Sequence, residues 1–140
     1  MNPPYSELYR LVADQAPKFH ARDNAPGTFA ELHSSLQGEL CVYAGASELT
    51  VFGSPLGNHM FRAWHDTVHY RMNCDFSMGY RRGEWYVAME QCRIAAKSGT
   101  VLADWLCSDL RGQEEYFLLN GHFPVDQVSC TTQYFAKHFR

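Results

Sequence analysis

A chain of 140 residues with 46% hydrophobic and 14% aromatic content can build one globular core, and is too short for two ordinary domains. A net charge of -3 with 19% charged residues excludes a general basic surface for nucleic acid, leaving at most a local patch at Arg81 and Arg82 beside Tyr80 and Trp85. Five cysteines without a C-x-x-C pair point to neither a disulfide framework nor a zinc knuckle.

Pro3 and Pro4 precede a helical pattern from Tyr5 to Phe19, with Leu8, Leu11, Val12 and Ala16 on one face. His20 to Gly27 reads as a loop, because Pro26-Gly27 is a turn signal. A short helix then runs from Thr28, a suitable N-cap, to Gln37, with Gly38 as its stop. Leu40–Tyr43 and Leu49–Phe52 are short β-prone runs, and the spacing predicts a small β-hairpin between them. Gly53, Ser54, Pro55 and Gly57 break the chain after it.

The remainder reads as helical. Helices are expected over Asn58–Asn73, Glu84–Lys97 and Thr100–Leu110, the last continuing or kinking through Gly112 towards Leu119. Asn120-Gly121 is a turn, and Pro124 suits the first turn of a final helix ending near Phe139. The expected fold is mainly α: one domain over residues 1–140, with five to six helices and a small β-hairpin before the motif helix. Neither a signal-like N-terminus nor a membrane-length apolar run is seen, so the expected setting is cytoplasmic, with no membrane partner.

His65-Asp66-Thr67-Val68-His69 carries the chemistry. Two imidazoles four residues apart share one helix face and can close on one metal ion. Phe61, Trp64, Val68 and Met72 form the apolar stripe of this helix, with His65 and His69 at its border and Arg62 and Asp66 further towards the polar side. The same pair also suits two half-buried histidines that merely hydrogen-bond to their neighbours.

Glu84 lies on the next helix, on a face shared with Val87, Ala88, Gln91, Ile94 and Ala95. A carboxylate among apolar residues must be paired, neutralised or bound to metal. It also suits a solvated first-turn acid that complements the helix dipole. Asp109 and Gln113 form a further i, i+4 pair, and Gly112 between them permits a close backbone approach.

The segments Phe61-Arg62-x-x-His65-Asp66-x-x-His69, Phe76, Gly83-Glu84 and Asp109-x-Arg111-Gly112-Gln113 together resemble a phage- and mobile-element-associated family. Its members carry F-R-x-x-H-D-x-x-x-H, then F, then G-E, then E-x-R-G-Q. The resemblance spans residues 58 to 127 and implies a shared site without naming a reaction. This chain departs from the pattern in placing His69 three residues after Asp66, and in having Asp109 for Glu.

Weaker resemblances lie elsewhere. Zincins carry H-E-x-x-H on a helix, with Asp66 standing where their Glu activates water. HD-type phosphohydrolases are similar through His33, His65-Asp66 and Ala103-Asp104. Ferritin-like di-metal bundles fit least, since only Asp66-x-x-His69 approximates their E-x-x-H motif.

Two readings follow. In the first, His65, His69 and Glu84 hold a divalent metal with Asp109 as the fourth ligand or as a support behind the ligands, zinc being the expected ion for imidazoles with carboxylates. Asp66 is then the candidate general base or a group that orients a histidine, Arg62 and Gln113 hold substrate or a carboxylate, and an open coordination position would give metal-assisted hydrolysis. In the second, the chain is a non-enzymatic phage or mobile-element accessory protein that binds a host factor, and the His/Asp/Glu cluster is structural. An enzyme predicts a cavity opening onto the histidine pair; the rival predicts a closed site.

Overall fold

The computed structural model describes residues 1–36 and 39–140. Among them are α1 Tyr5–Gln15, β1 His20–Arg22, α2 Phe29–Ser35, β2 Cys41–Tyr43, α3 Pro55–Met72, α4 Gly83–Ala96, α5 Thr100–Asn120 and α6 Gln127–His138. The protein is therefore mainly helical, as its periodicity implies. The expected stop of the second helix at Gln37-Gly38 lies outside the described residues. No helix among the described residues is long and apolar enough to cross a membrane.

Local chemistry sets the helix ends. Thr28 caps α2 by accepting from the Glu31 N–H at 3.2 Å. Ser54 caps α3 by accepting from the Gly57 N–H at 3.1 Å, and Pro55 follows where a missing N–H costs nothing. Asn73 closes α3 in the left-handed region at φ 54°. Asp126 caps α6 by accepting from the Ser129 N–H at 2.9 Å, so Pro124 precedes that helix instead of sitting in its first turn. The helix through Gly112 is unbroken.

The strand pairing corrects the expected hairpin. Cys41–Tyr43 is a strand, but it pairs in parallel with His20–Arg22, in register from His20–Cys41 to Arg22–Tyr43. Residues 49–52 form no strand; Val51 and Phe52 turn into the core instead. The side chains of β1 are all exposed, so no alternation marks it; backbone pairing recruits it, with His20 and Arg22 beside the Glu39 carboxylate at 3.1 and 3.6 Å. Parallel partners need a crossover, and α2 provides one.

Two apolar clusters lie on different flanks of α3. Leu8, Leu11 and Val12 of α1 meet Trp64 and Val68 of α3, Val87 of α4 and Leu106 of α5 in the larger. Leu32, Leu40, Val42 and Ala63 form the smaller, with Phe29 and Phe76 against it. Met72, expected on the apolar stripe, is 37% exposed. His69, expected at the stripe's border, is fully buried, because the second cluster covers that flank. α4 packs on α3 and α5, and α5 packs on α6, which brings the motif residues to one region.

Candidate metal centre

The helix register places His65 and His69 one turn apart, and their rings meet edge to face with centroids 4.7 Å apart. The two Nε2 atoms are separated by 3.1 Å. Glu84 bridges them: its Oε2 lies 2.9 Å from His65 Nε2, and its Oε1 lies 3.0 Å from His69 Nε2. Phe61 stacks on His65, and Phe76 meets His69 edge-on. His65, His69 and Glu84 form a group that can hold a metal ion, with ligand atoms within 4.8 Å of one another.

Glu84 reaches this point because the start of α4 is pinned. Ser77 takes the Gly83 N–H on its Oγ at 3.1 Å and the Glu84 N–H on its carbonyl at 2.9 Å. Gly83 is required there: a Cβ would stand 1.9 Å from the Asp75 carbonyl oxygen. Glu84 opens α4, as the dipole reading expects, but it is mostly buried against the histidines and not solvated.

The distal ring nitrogens face oxygen acceptors. His69 Nδ1 donates to the Cys74 carbonyl at 2.9 Å, and His65 Nδ1 donates to Gln91 Oε1 at 2.5 Å. Each Nδ1 therefore carries a proton, and each Nε2 lone pair is directed at the shared centre. Two lone pairs and a carboxylate converging there need a proton or a metal cation between them. Hydrogen-bonded distal nitrogens of this kind accompany metal-ligating histidines.

Burial by itself would lower the His65 pKa, but Glu84, Asp66 and Gln91 outweigh it and raise it to about 9. Burial would raise the Glu84 pKa, yet His65 and His69 hold it at about 2. Without metal, the centre is thus an imidazolium–carboxylate pair over much of the pH range.

Gln91 is a site residue that the sequence reading grouped only with the apolar face. Its signal was spacing: it follows Glu84 by seven residues, two helical turns on the same face. It is fully buried, and its Nε2 finds no hydrogen-bond partner among the described residues. An unmet buried N–H group costs about 1–3 kcal/mol, so orienting Oε1 towards His65 comes at the amide's expense. The Cys74 carbonyl carried no side-chain signal at all.

The other expected site residues are placed differently. Asp109 lies outside the three-residue group, which corrects its reading as a fourth ligand. Its Oδ1 accepts from Gln113 Nε2 at 2.8 Å and from Thr131 Oγ1 at 2.9 Å. The close approach expected at Gly112 is present, where a Cβ would stand 3.1 Å from the Tyr134 Cβ of α6. That contact brings Thr131 onto Asp109. Burial pushes the Asp109 carboxyl up to about 6, against the pull of Thr131, Gln113 and His65.

Asp66 does not line the cavity beside His65. From α3, Asn58, Phe61, Arg62 and His65 form the cavity stripe, and Asp66 is rotated about 100° from His65 around the helix. It therefore stands off the wall of this cavity. Burial raises its pKa to about 6, opposed by His65, His69 and Arg62. Arg62 does line the cavity, but its guanidinium donates to the carbonyls of Tyr43, Gly45 and Ala46, which corrects its reading as a substrate clamp. Gln113 lines the cavity with its amide nitrogen held by Asp109. His33 packs against Phe29 and Tyr70, and neither it nor Asp104 joins the metal group, so the HD-type constellation is not assembled among the described residues.

The cavity has a volume of about 720 Å³. His65 and Glu84 stand in its wall, whereas His69 lies behind them. Compared with protein-family models, curated proteins and solved structures, the chain matches none.

Proposed function

We propose that the protein is a metal-dependent hydrolase that holds one divalent cation, zinc by preference, on His65, His69 and Glu84. The observation that carries this reading is the convergence of two Nε2 lone pairs and a carboxylate at the wall of a 720 Å³ cavity. A cation in that position supplies a Lewis acid for cleaving a polar bond. The chain's own residues do the rest. Gln91 and the Cys74 carbonyl hold the two rings in the ligating tautomer. Asp66 adds negative charge behind the pair, and the cavity admits a substrate on the side of His65 and Glu84.

Three protein donors suit zinc, which is four-coordinate and leaves one position for a reactant in catalytic sites. Association with phage or mobile elements rests on the motif resemblance, and so does the phage accessory role. The complete burial of His69 favours a second reading, in which the cation is structural and the protein binds a host protein without catalysis.

Zinc titration of the purified chain tests the first step. One equivalent is expected to bind, and the His65→Ala/His69→Ala double variant is expected to lose it. A chain that takes up no metal, with melting unchanged by chelator, would sink the proposal. Hydrolysis of ester, amide or phosphoester probes that requires zinc separates the enzyme from the structural reading.

A further inference from the structure

The charge of the cavity wall is lopsided. Among the described residues its acids are Glu48, Glu84, Asp109 and Glu114, and its only Lys or Arg is Arg62. The Arg62 guanidinium is committed to three backbone carbonyls, which leaves an anionic ligand no matching partner away from the metal position. Glu114 is engaged too, accepting from the Gly79 N–H at 2.7 Å. Asp109 differs. It is 1% exposed, and both of its hydrogen bonds fall on Oδ1. Oδ2 has no hydrogen-bond partner among the described residues, although the side chain lines the cavity. Oδ2 is not one of the fully buried unpartnered atoms, so it opens to the cavity, where a cationic donor can reach it.

Beyond the uncharged polar groups of Asn58, Gln113 and Gln127, much of the remaining wall is apolar. Phe61 and Leu110 lie inside, while Phe123 and Val125 stand at 49% and 86% exposure on the α5–α6 connection. We infer that the cavity binds an apolar molecule bearing an amine or ammonium group, with the cation docked on Asp109 and the hydrocarbon against Phe61, Leu110 and Phe123. This specifies the substrate class of the proposed hydrolase; it rests on that reading only for the reacting end at the metal. The ammonium dock depends on no metal.

Calorimetric titration of the full chain at pH 7, with and without one equivalent of zinc, tests it using octylammonium, octanol and octanoate. In the metal-free chain, octylammonium is expected to bind at least tenfold more tightly than either of the others. Asp109→Asn keeps an acceptor for Thr131 and Gln113, and is expected to remove that preference without changing zinc stoichiometry. Val125→Lys alters only an exposed position, so folding is not at risk; octylammonium is expected to weaken several-fold and octanoate to tighten. Equal binding of the three probes, a preference for octanoate, or a preference that survives both variants would overturn the inference. Absence of zinc uptake with the octylammonium preference intact defeats the hydrolase reading alone.

Discussion

His65 Nε2 and His69 Nε2 lie 3.1 Å apart, each with its opposite ring nitrogen already donating. Two nitrogen lone pairs cannot face each other at that distance without positive charge between them. Glu84 supplies the counter-charge at 2.9 and 3.0 Å. The centre can therefore hold one cation: a proton when metal is absent, and a metal ion under the proposed reading.

Zinc affinity is expected to climb with pH. The His65 pKa is raised to about 9, so metal must displace its proton at neutral pH. Affinity should rise roughly tenfold per pH unit between about pH 6 and 8, with close to one proton released from this site. Competition against a chromophoric chelator at three pH values measures the slope, and calorimetry in buffers of different ionisation enthalpy counts the proton. A flat profile would mean that the metal does not use His65.

The metal-free chain should show the opposite trend on the alkaline side. His65, raised from 6.5 to about 9, contributes stability that is complete below 6.5 and is lost as pH rises through 9. Glu84, lowered from 4.5 to about 2, contributes stability that is complete above 4.5 and is lost as pH falls through 2. Both shifts describe one ion pair, worth on the order of 2–3 kcal/mol when counted once. Its contribution is complete between pH 4.5 and 6.5. Chemical denaturation of chelator-treated protein at pH 6 and pH 9 tests the alkaline loss, with Glu84→Gln as the control that should flatten it.

Gln91→Leu should weaken zinc binding more than it weakens the fold. The variant removes the acceptor for His65 Nδ1–H, and loss of such a partner typically costs about 10–100-fold in metal affinity. It also removes the unpartnered amide N–H group, which offsets part of the packing loss. Gln91→Glu retains an acceptor oxygen and should restore much of the affinity. Equal zinc affinity in the wild type and Gln91→Leu would remove Gln91 from the site.

Gly83→Ala should damage both stability and metal binding. The added methyl would meet the Asp75 carbonyl oxygen at 1.9 Å, so backbone must move at the start of α4. Overpacking of this kind costs about 1–3 kcal/mol, and the displaced residue is Glu84's immediate neighbour. Denaturant midpoints combined with zinc titration would show the coupled loss. Gly121→Ala is a comparison without crowding, since no atom lies within 4 Å of its added Cβ, although its φ of 78° strains any side chain.

The helices of this protein were legible because they obey local rules. Leu8, Leu11 and Val12 recur at helical spacing, Thr28 accepts at a helix start, and the His65–His69 interval is one turn. Glu84 was legible as an anomaly, a carboxylate on an apolar face. The hairpin failed because β1 carries three exposed side chains with no apolar alternation, so nothing in its pattern announces the parallel pairing. Asp109 was read as a ligand because its residue type permits it, whereas Thr131, 22 residues later, occupies its Oδ1.

Composition and period were enough for a mainly helical chain with two imidazoles aimed the same way, since both follow from contacts within a few residues. Tertiary packing decided which carboxylate reached them. It also decided that Gln91 and the Cys74 carbonyl hold the rings, and that Arg62 and Asp109 are held by other groups. Those outcomes depend on how α3, α4, α5 and α6 approach one another, to tenths of an ångström at Gly83 and Gly112. A residue's type limits what it can bind, but only the distances between helices determine what it meets.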